Sequence, residues 1–272
     1  PRSQRKVAQH VLDNWERAAY ESSTTIARQL GLSQATIIRT ACALGFGGFP
    51  ELQEYLRGVI QQRVSTVGRL DRALRLYQKS IAPDKQTTKD RVFRQLVGNL
   101  RAVYAAVTED ELCRAADDIM QAERVFVVGM RSSSAVADYL GFNLSMVRAN
   151  VTIQTNDYNL LEKMKTVAAG DVLVSIVFPR YTRLAVEATR KAFRQGALVI
   201  GVTDSAASPI GAVCHQPFYV PAASTHYNHS PIAAIALVDI LLSYLAVRYA
   251  ERVRGELEKS EDDFCRFNIF EK

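Results

Sequence analysis

Apolar residues in the first quarter of the chain recur every three or four positions, and polar or glycine breaks divide them into short helices. Ser3 opens a helix through about Asn14, with Val7, Val11 and Leu12 on one face. A second piece covers Trp15 to Tyr20. Ser23-Thr24 starts a third, Thr25 to Leu30, which Gly31 ends. Ser33 caps a fourth, Gln34 to Leu44, and Gly45 closes it. Pro50 suits the first turn of a fifth, Glu51 to Ile60. Helical spacing continues from 63 to 122, with Leu70, Leu74, Tyr77 and Ile81 on one face. The polar, proline-containing run "APDKQTTKD" interrupts it and reads as a linker over 81–90. Helices follow from Arg91 to Ala106 and from Glu109 to Gln121, the second opened by a Thr108–Glu111 capping box.

At residue 124 the period changes. Short β-branched runs, "RVFVVG", "VTIQ", "DVLVSIVF", "ALVIGVTD" and "QPFYV", alternate with helical segments at 134–148, 158–167, 182–195 and 230–256. That alternation implies parallel strands joined by helical crossovers. The fold class is therefore α/β: an all-α module at 1–80, a linker at 81–90 and a doubly wound parallel-sheet module at 91–272. The charged and aromatic tail, 259–272, has no clear element.

Charge changes the picture. Of 34 Lys+Arg and 28 Asp+Glu, residues 1–80 hold 12 and 6, so the whole excess of +6 sits in the helical module. A basic module joined to a neutral one fits a polyanion binder carrying a second function; a solvated basic surface is the plainer alternative. Cys42, Cys113, Cys214 and Cys265 are scattered, with no Cys-x-x-Cys pair, which argues against a disulfide framework or structural zinc and fits a reducing cytoplasm. No basic-then-apolar leader is visible. The longest apolar stretch, Ile232 to Val247, is interrupted by Asp239 and Ser243 and falls short of the roughly 20 residues a membrane span needs. It reads as a buried helix, with no membrane partner.

"TIARQLGLSQATIIRTACALGF", residues 25–46, has helix-turn-helix punctuation. Ala27 lies on the first helix and Gly31-Leu32 in the turn; Ile37, Ala41 and Leu44 face inward on the second. Such a second helix enters the major groove of double-stranded DNA. Gln34 and Thr36 in its first turn point at base edges, with Arg39 one turn on, and Ser33 at the helix start suits a phosphate. An ordinary helical hairpin, with Ile38 also in the core, is the structural alternative.

These residues resemble the RpiR family of bacterial transcription regulators. The similarity is carried by Ala27, Ser33, Ala35-Thr36, Arg39, Leu44-Gly45-Phe46, Gly48-Phe49 and Glu51-Leu52. Thr40 departs from it, since an aromatic is common there; the expected effect is on helix packing rather than on DNA contact. The resemblance implies that the second module is a sugar isomerase (SIS) domain, which binds phosphosugars and generally pairs. It thus implies a homodimer, or a tetramer built from it.

The second module carries its own signal. "VFVVGMRSSSAVADYL" is a strand, a glycine turn, three serines and a helix. Exposed amides there, with the hydroxyls of Ser132, Ser133 and Ser134, form an anion cradle; simple helix capping by one serine is the alternative. Set against the common SIS pattern, the loop "VFPRYT" has Val177 and Pro179 at serine positions and Arg180 at the glycine, while Thr182 is kept. Arg180 suits a carboxylate or phosphate, Arg131 is placed to join it, and Tyr181 can hydrogen-bond or stack on a ligand. Alternatively, Arg180 makes an interdomain or dimer salt bridge. The resemblance adds "STHYNHS", where His226 and His229 are candidate ligand contacts; no third ligand suggests a metal. Asp204 reads as a cap for the turn before Ser208-Pro209.

The leading expectation is a DNA-binding regulator that senses a small anionic metabolite, a phosphosugar or related carbohydrate derivative, with no cofactor and no catalytic residue. An aldose–ketose isomerase needs a poised base, usually a carboxylate, yet Glu162 and Glu187 fall within helical segments. A regulator with a non-sensing SIS dimerisation domain is the other alternative.

Overall fold

The computed structural model describes residues 2–78 and 87–270 and divides the chain into two compact units, 1–74 and 75–272. The first unit contains α1 (Arg2–Asp13), α2 (Trp15–Ala18), α3 (Ser23–Leu30), α4 (Gln34–Ala43), α5 (Phe49–Val64) and the start of α6 (Thr66–Gln78). Its core joins Val7, Val11, Ile26, Ala27, Ile37, Ala41, Phe49, Leu52 and Leu56. Ser22, rather than Ser23-Thr24, caps α3, its hydroxyl accepting the Thr25 N–H at 3.0 Å. Gly31 has φ +64 and returns its N–H to the last turn, so the chain leaves α3 in the left-handed conformation that glycine tolerates best.

Three expected inward faces are corrected. Leu12 and Leu44 stand at helix ends and are exposed, because the end of a helix has no neighbour to cover its last turn. Ile38 is also exposed rather than core. On α6, Leu70 and Leu74 are exposed while Ala73 is buried, so the inward face is rotated one position from the expected one; Ile81 lies outside the described residues.

The second unit opens with α7 (Thr88–Ala106) and α8 (Glu109–Gln121). Most of the expected linker lies outside the described residues, but 88–90 already belong to α7, whose capping box is Thr87 with Asp90. The remaining elements alternate: β1 (Val125–Gly129), α9 (Ser134–Val147), β2 (Val151–Gln154), α10 (Leu160–Lys165), β3 (Val172–Ile176), α11 (Arg183–Arg194), β4 (Leu198–Thr203) and β5 (Gln216–Tyr219). All pairings are parallel, in the order β2-β1-β3-β4-β5, with Val125 facing Val151 on one side and Val172 on the other. Chain direction across the sheet reverses between β1 and β3, the switch point where open α/β sheets place ligands.

Each sheet face has its own core. Leu112, Ile119, Leu140, Leu144, Leu237 and Leu241 pack on one face; Leu160, Met164, Val186 and Ile210 pack on the other. The expected single helix at 230–256 is two, α12 (Ile232–Arg248) and α13 (Ala250–Phe267), bent by 102° about Tyr249. The unassigned tail is helical through Phe267. Among the described residues no single helix is long and apolar enough to cross a membrane.

Candidate nucleic-acid interface and effector site

In the first unit, burial divides α4 cleanly. Ile37, Thr40 and Ala41 are buried, while Gln34, Ala35, Ile38 and Arg39 face outward and Thr36 is half-buried. Ser33 caps the helix: its hydroxyl accepts the Thr36 N–H at 3.3 Å and lies 2.9 Å from the Thr36 hydroxyl. Gln34 donates its carboxamide N–H to Ser23 Oγ at 2.9 Å, which holds it across the start of α3. Arg39 donates Nε–H to the Ala35 carbonyl at 3.3 Å and is otherwise directed outward. Thr40 is buried and donates its hydroxyl to the Thr36 carbonyl at 2.7 Å, so its role is packing. The outward strip is therefore polar at Gln34, cationic at Arg39 and apolar at Ile38, a mixture suited to base edges and a thymine methyl. The sequence reading missed Ile38, because an isoleucine beside Ile37 reads as core.

In the second unit the expected residues lie in the loops after β1 and β3 and in the segment before α12. Gly129 ends β1, where a Cβ would lie 2.7 Å from the Ser133 carbonyl and 2.8 Å from Ala137 Cβ. Only glycine lets the following turn and α9 approach this closely. The turn Arg131–Ser133 is a single 3-10 turn, with the Ser133 N–H donated to the Met130 carbonyl at 3.1 Å. Ser133 is buried at the start of α9 but makes no side-chain capping bond, which disfavours the simple capping alternative for it. Ser134 is the half-buried first residue of α9. Ser132 Oγ lies 3.4 Å from His229 Nδ1.

His229 is the hinge of this constellation. It is buried, its ring packs tilted against Phe178 with centroids 5.2 Å apart, and its backbone N–H is donated to Asn228 Oδ1 at 3.0 Å. The loops after β1 and β3 and the segment before α12 thus meet at Ser132, Phe178 and His229. His226 does not join them. It is exposed, and its Nδ1 accepts the Asn228 N–H within its own loop.

On the β3 loop, Arg180 is exposed with φ +72, and on the β1 loop Arg131 is exposed with φ +56. Both arginines occupy the left-handed region, which costs an L-residue roughly 1–2 kcal/mol. Arg180 stands at the common glycine position and keeps glycine's backbone conformation. Tyr181 is half-buried and donates its hydroxyl to Asp204 at 2.9 and 3.2 Å, linking the β3 loop to the end of β4. Thr203 donates to Asp204 Oδ1 at 3.2 Å. Thr182 sits half-buried at the start of α11 without a side-chain capping bond. Glu162 and Glu187 pair with Lys165 and Arg190 on α10 and α11.

One further group escaped the sequence reading. Arg148 is buried behind α9 and donates to the carbonyls of Ile119, Ala122 and Glu123 at the end of α8. Burial, with Arg252 nearby, holds its pKa below the usual arginine value. After a helix and before a strand, it reads in sequence as a surface cation.

Comparison with known proteins matches residues 1–63 to the helix-turn-helix domain of the rpiR family and residues 118–250 to the SIS domain. The HexR transcriptional regulator of Escherichia coli is 26% identical over 267 residues, 96% of this chain and 89% of that protein. HexR of Pseudomonas aeruginosa is 25% identical over 253 residues, 91% of this chain and 85% of that protein. The sugar isomerase domain of the RpiR transcription factor from Sphaerobacter thermophilus superposes with a TM-score of 0.62 at 28% identity, covering 65% of this chain and 99% of that one. The Vibrio vulnificus NanR protein complexed with ManNAc-6P superposes with a TM-score of 0.66 at 18% identity, covering 98% of this chain and 94% of that one. Its likeness shows that the whole chain shares its fold. Two separate family matches and relatives aligned along nearly the full length agree: the chain belongs to the RpiR family of helix-turn-helix transcriptional regulators, with a SIS domain behind its DNA-binding unit.

Proposed function

We propose that this regulator binds a double-stranded DNA operator as a homodimer, in the cytoplasm, and that its SIS domain senses a small anionic metabolite of the phosphosugar class. The observation that carries the reading is the meeting of Ser132, Phe178 and His229 at the sheet's switch point, flanked by Arg131 and Arg180. Helix-start amides and serine hydroxyls suit a phosphate, and two guanidinium groups add charge. The phosphosugar in the Vibrio vulnificus NanR complex supports the ligand class. On DNA, Gln34, Thr36, Ile38 and Arg39 read base edges while Ser33 and the start of α4 hold phosphate.

A second reading is favoured by the β3 loop itself. Val177 and Pro179 stand where hydroxyl donors are common, so the SIS domain could be a non-sensing pairing module. The two readings separate in one experiment. Operator DNA is selected in vitro with the full chain, and its affinity is measured by fluorescence anisotropy with and without a panel of sugar phosphates. A shift in affinity with one of them supports sensing; operator binding unmoved by any supports the pairing module.

A further inference from the structure

The starts of α3 and α4 repeat one pattern. Ser22 caps α3 and Ser33 caps α4. Each accepts the N–H of a threonine three residues on, Thr25 at 3.0 Å and Thr36 at 3.3 Å, and each hydroxyl also meets that threonine's own, at 2.8 and 2.9 Å. The residue after each cap is the first of its helix, Ser23 in α3 and Gln34 in α4. Ile26 and Ala27 share a core with Ile37 and Ala41, which packs the two helices together. At their starts the two first residues touch, Gln34 Nε2 donating to Ser23 Oγ at 2.9 Å.

This bond has no capping duty. Ser22, not Ser23, takes the open amide of α3. Gln34 is exposed and Ser23 half-buried, beside the outward strip that holds Ile38 and Arg39. Ordering a surface glutamine costs side-chain entropy, and a neutral hydrogen bond contributes little net stability. What the bond does is fix a direction for the carboxamide at the first turn of the DNA-facing helix. An ordered donor and acceptor lose less freedom on binding than a free side chain does.

The chemistry of the carboxamide says which base that direction suits. The group has one acceptor and two N–H donors. A bidentate pair with adenine uses Oε1 for the N6 amino group and an Nε2 hydrogen for N7. The hydrogen on the oxygen's side of the amide serves that pair, and the opposite hydrogen is left over for Ser23. A serine hydroxyl can also donate, which would allow the carboxamide to turn over. A DNA phosphate only accepts, so a phosphate that takes the Ser23 hydroxyl hydrogen leaves Ser23 Oγ as the acceptor for Gln34. We propose that Ser23 is a positioning residue that holds the Gln34 carboxamide to read adenine in the operator's major groove. This rests on the reading of Gln34 as a base contact.

The test uses the full chain. Operators are selected in vitro with wild type, Gln34→Ala, Ser23→Ala and Ser23→Thr. Relative affinities for all four bases are then measured at the position that Gln34→Ala relaxes. Gln34→Ala should reduce the preference for adenine there by about 5- to 150-fold, the ratio equivalent to one bidentate pair. Ser23→Ala should reduce it by about 2- to 12-fold, the ratio for one neutral hydrogen bond, and should leave the other positions alone. Ser23→Thr keeps a hydroxyl and should keep the preference. Ser23→Ala/Gln34→Ala should match Gln34→Ala at that position, because the serine acts only through the glutamine. An adenine analogue lacking N7 should weaken binding most for wild type, less for Ser23→Ala and not at all for Gln34→Ala. If Ser23→Ala folds poorly, Ser23→Cys, close in size but a weak acceptor, gives the same readout. A Ser23→Ala loss that is equal for every sequence, no loss at all, or a relaxed position that prefers another base overturns the proposal while Gln34 remains a base contact. If Gln34→Ala relaxes no position, both readings are overturned.

Discussion

Replacing Arg180 with glycine should weaken effector binding without weakening the fold. Arg180 has φ +72 in the loop after β3, a conformation costing an arginine roughly 1–2 kcal/mol and a glycine almost nothing. Glycine also gives the unfolded chain more freedom, an opposing term of about 0.4–1 kcal/mol. The net expectation for Arg180→Gly runs from unchanged to about 1.6 kcal/mol greater stability, which is at most about 3–6 °C in Tm for a unit of this size. Effector affinity moves the other way. Losing a hydrogen bond between charged groups costs about 1.5–3 kcal/mol, so Kd should rise about 10-fold or more. Arg180→Ala should show the same loss of affinity without the gain in stability, which isolates the backbone contribution. Arg180→Lys should recover affinity only in part, since an ammonium cannot reproduce a planar fork. Thermal melts and calorimetric titration, using the sugar phosphate that most raises the wild-type Tm, measure both quantities. An unchanged Kd in Arg180→Gly refutes the effector role. If the dimer also falls apart, Arg180 is an interface residue instead.

Three other outcomes are expected. Arg39→Ala should weaken specific operator binding by about 1–3 kcal/mol while leaving the melt unchanged; a uniform loss across sequences, with a salt slope lower by about one, would make Arg39 a phosphate contact. Arg148→Ala leaves the carbonyls at the end of α8 without their buried donor and should cost about 3 kcal/mol, lowering Tm by roughly 6–12 °C; a melt within a degree or so of wild type would show that the arginine is dispensable. Burial pushes the Cys214 thiol up to about 12, so it holds almost no thiolate at neutral pH, whereas Cys42 and Cys265 are exposed. Alkylation followed by mass spectrometry should therefore label Cys42 and Cys265 first and Cys214 last in the native protein, and early labelling of Cys214 would contradict its burial.

Much of the architecture is legible in the sequence because local chemistry and tertiary structure agree there. Gly31, Ser33 and Gly45 punctuate α3 and α4, and the β-branched runs from Val125 to Tyr219 specify parallel strands, buried throughout in β1 and β3 and only in part at the edges, β2 and β5. The misreadings occur where burial depends on distant residues. Leu12 and Leu44 keep the right period but lie beyond the reach of the core. The break at Tyr249 has no proline or glycine to announce it. It separates an apolar helix that buries Ala233, Leu237, Leu241 and Leu245 from a charged one that buries Val253 but little else.

The site is legible in kind but not in detail. The glycine and serines pick out the turn that lies at the sheet's switch point, and Arg180 marks an unusual residue in the loop beside it. The motif "STHYNHS" offers two histidines with equal claim, and only the packing of His229 against Phe178, beside Ser132, separates them. Asp204 accepts Tyr181 across two strand ends, a pairing 23 residues apart that no local pattern reveals.

The central claim is that occupancy of the switch-point site changes DNA affinity. By linkage, the operator must change effector affinity by the same factor. The most direct measurement is titration of the selected sugar phosphate into the full chain, free and bound to its operator, for the wild type and for Ser132→Ala/Arg180→Gly. The account predicts a change in effector Kd of about 5- to 150-fold on DNA for the wild type, and a weakened effector with intact apo operator binding for the variant. Equal effector affinity on and off the operator, or a variant that binds the sugar phosphate as tightly as wild type, would contradict it.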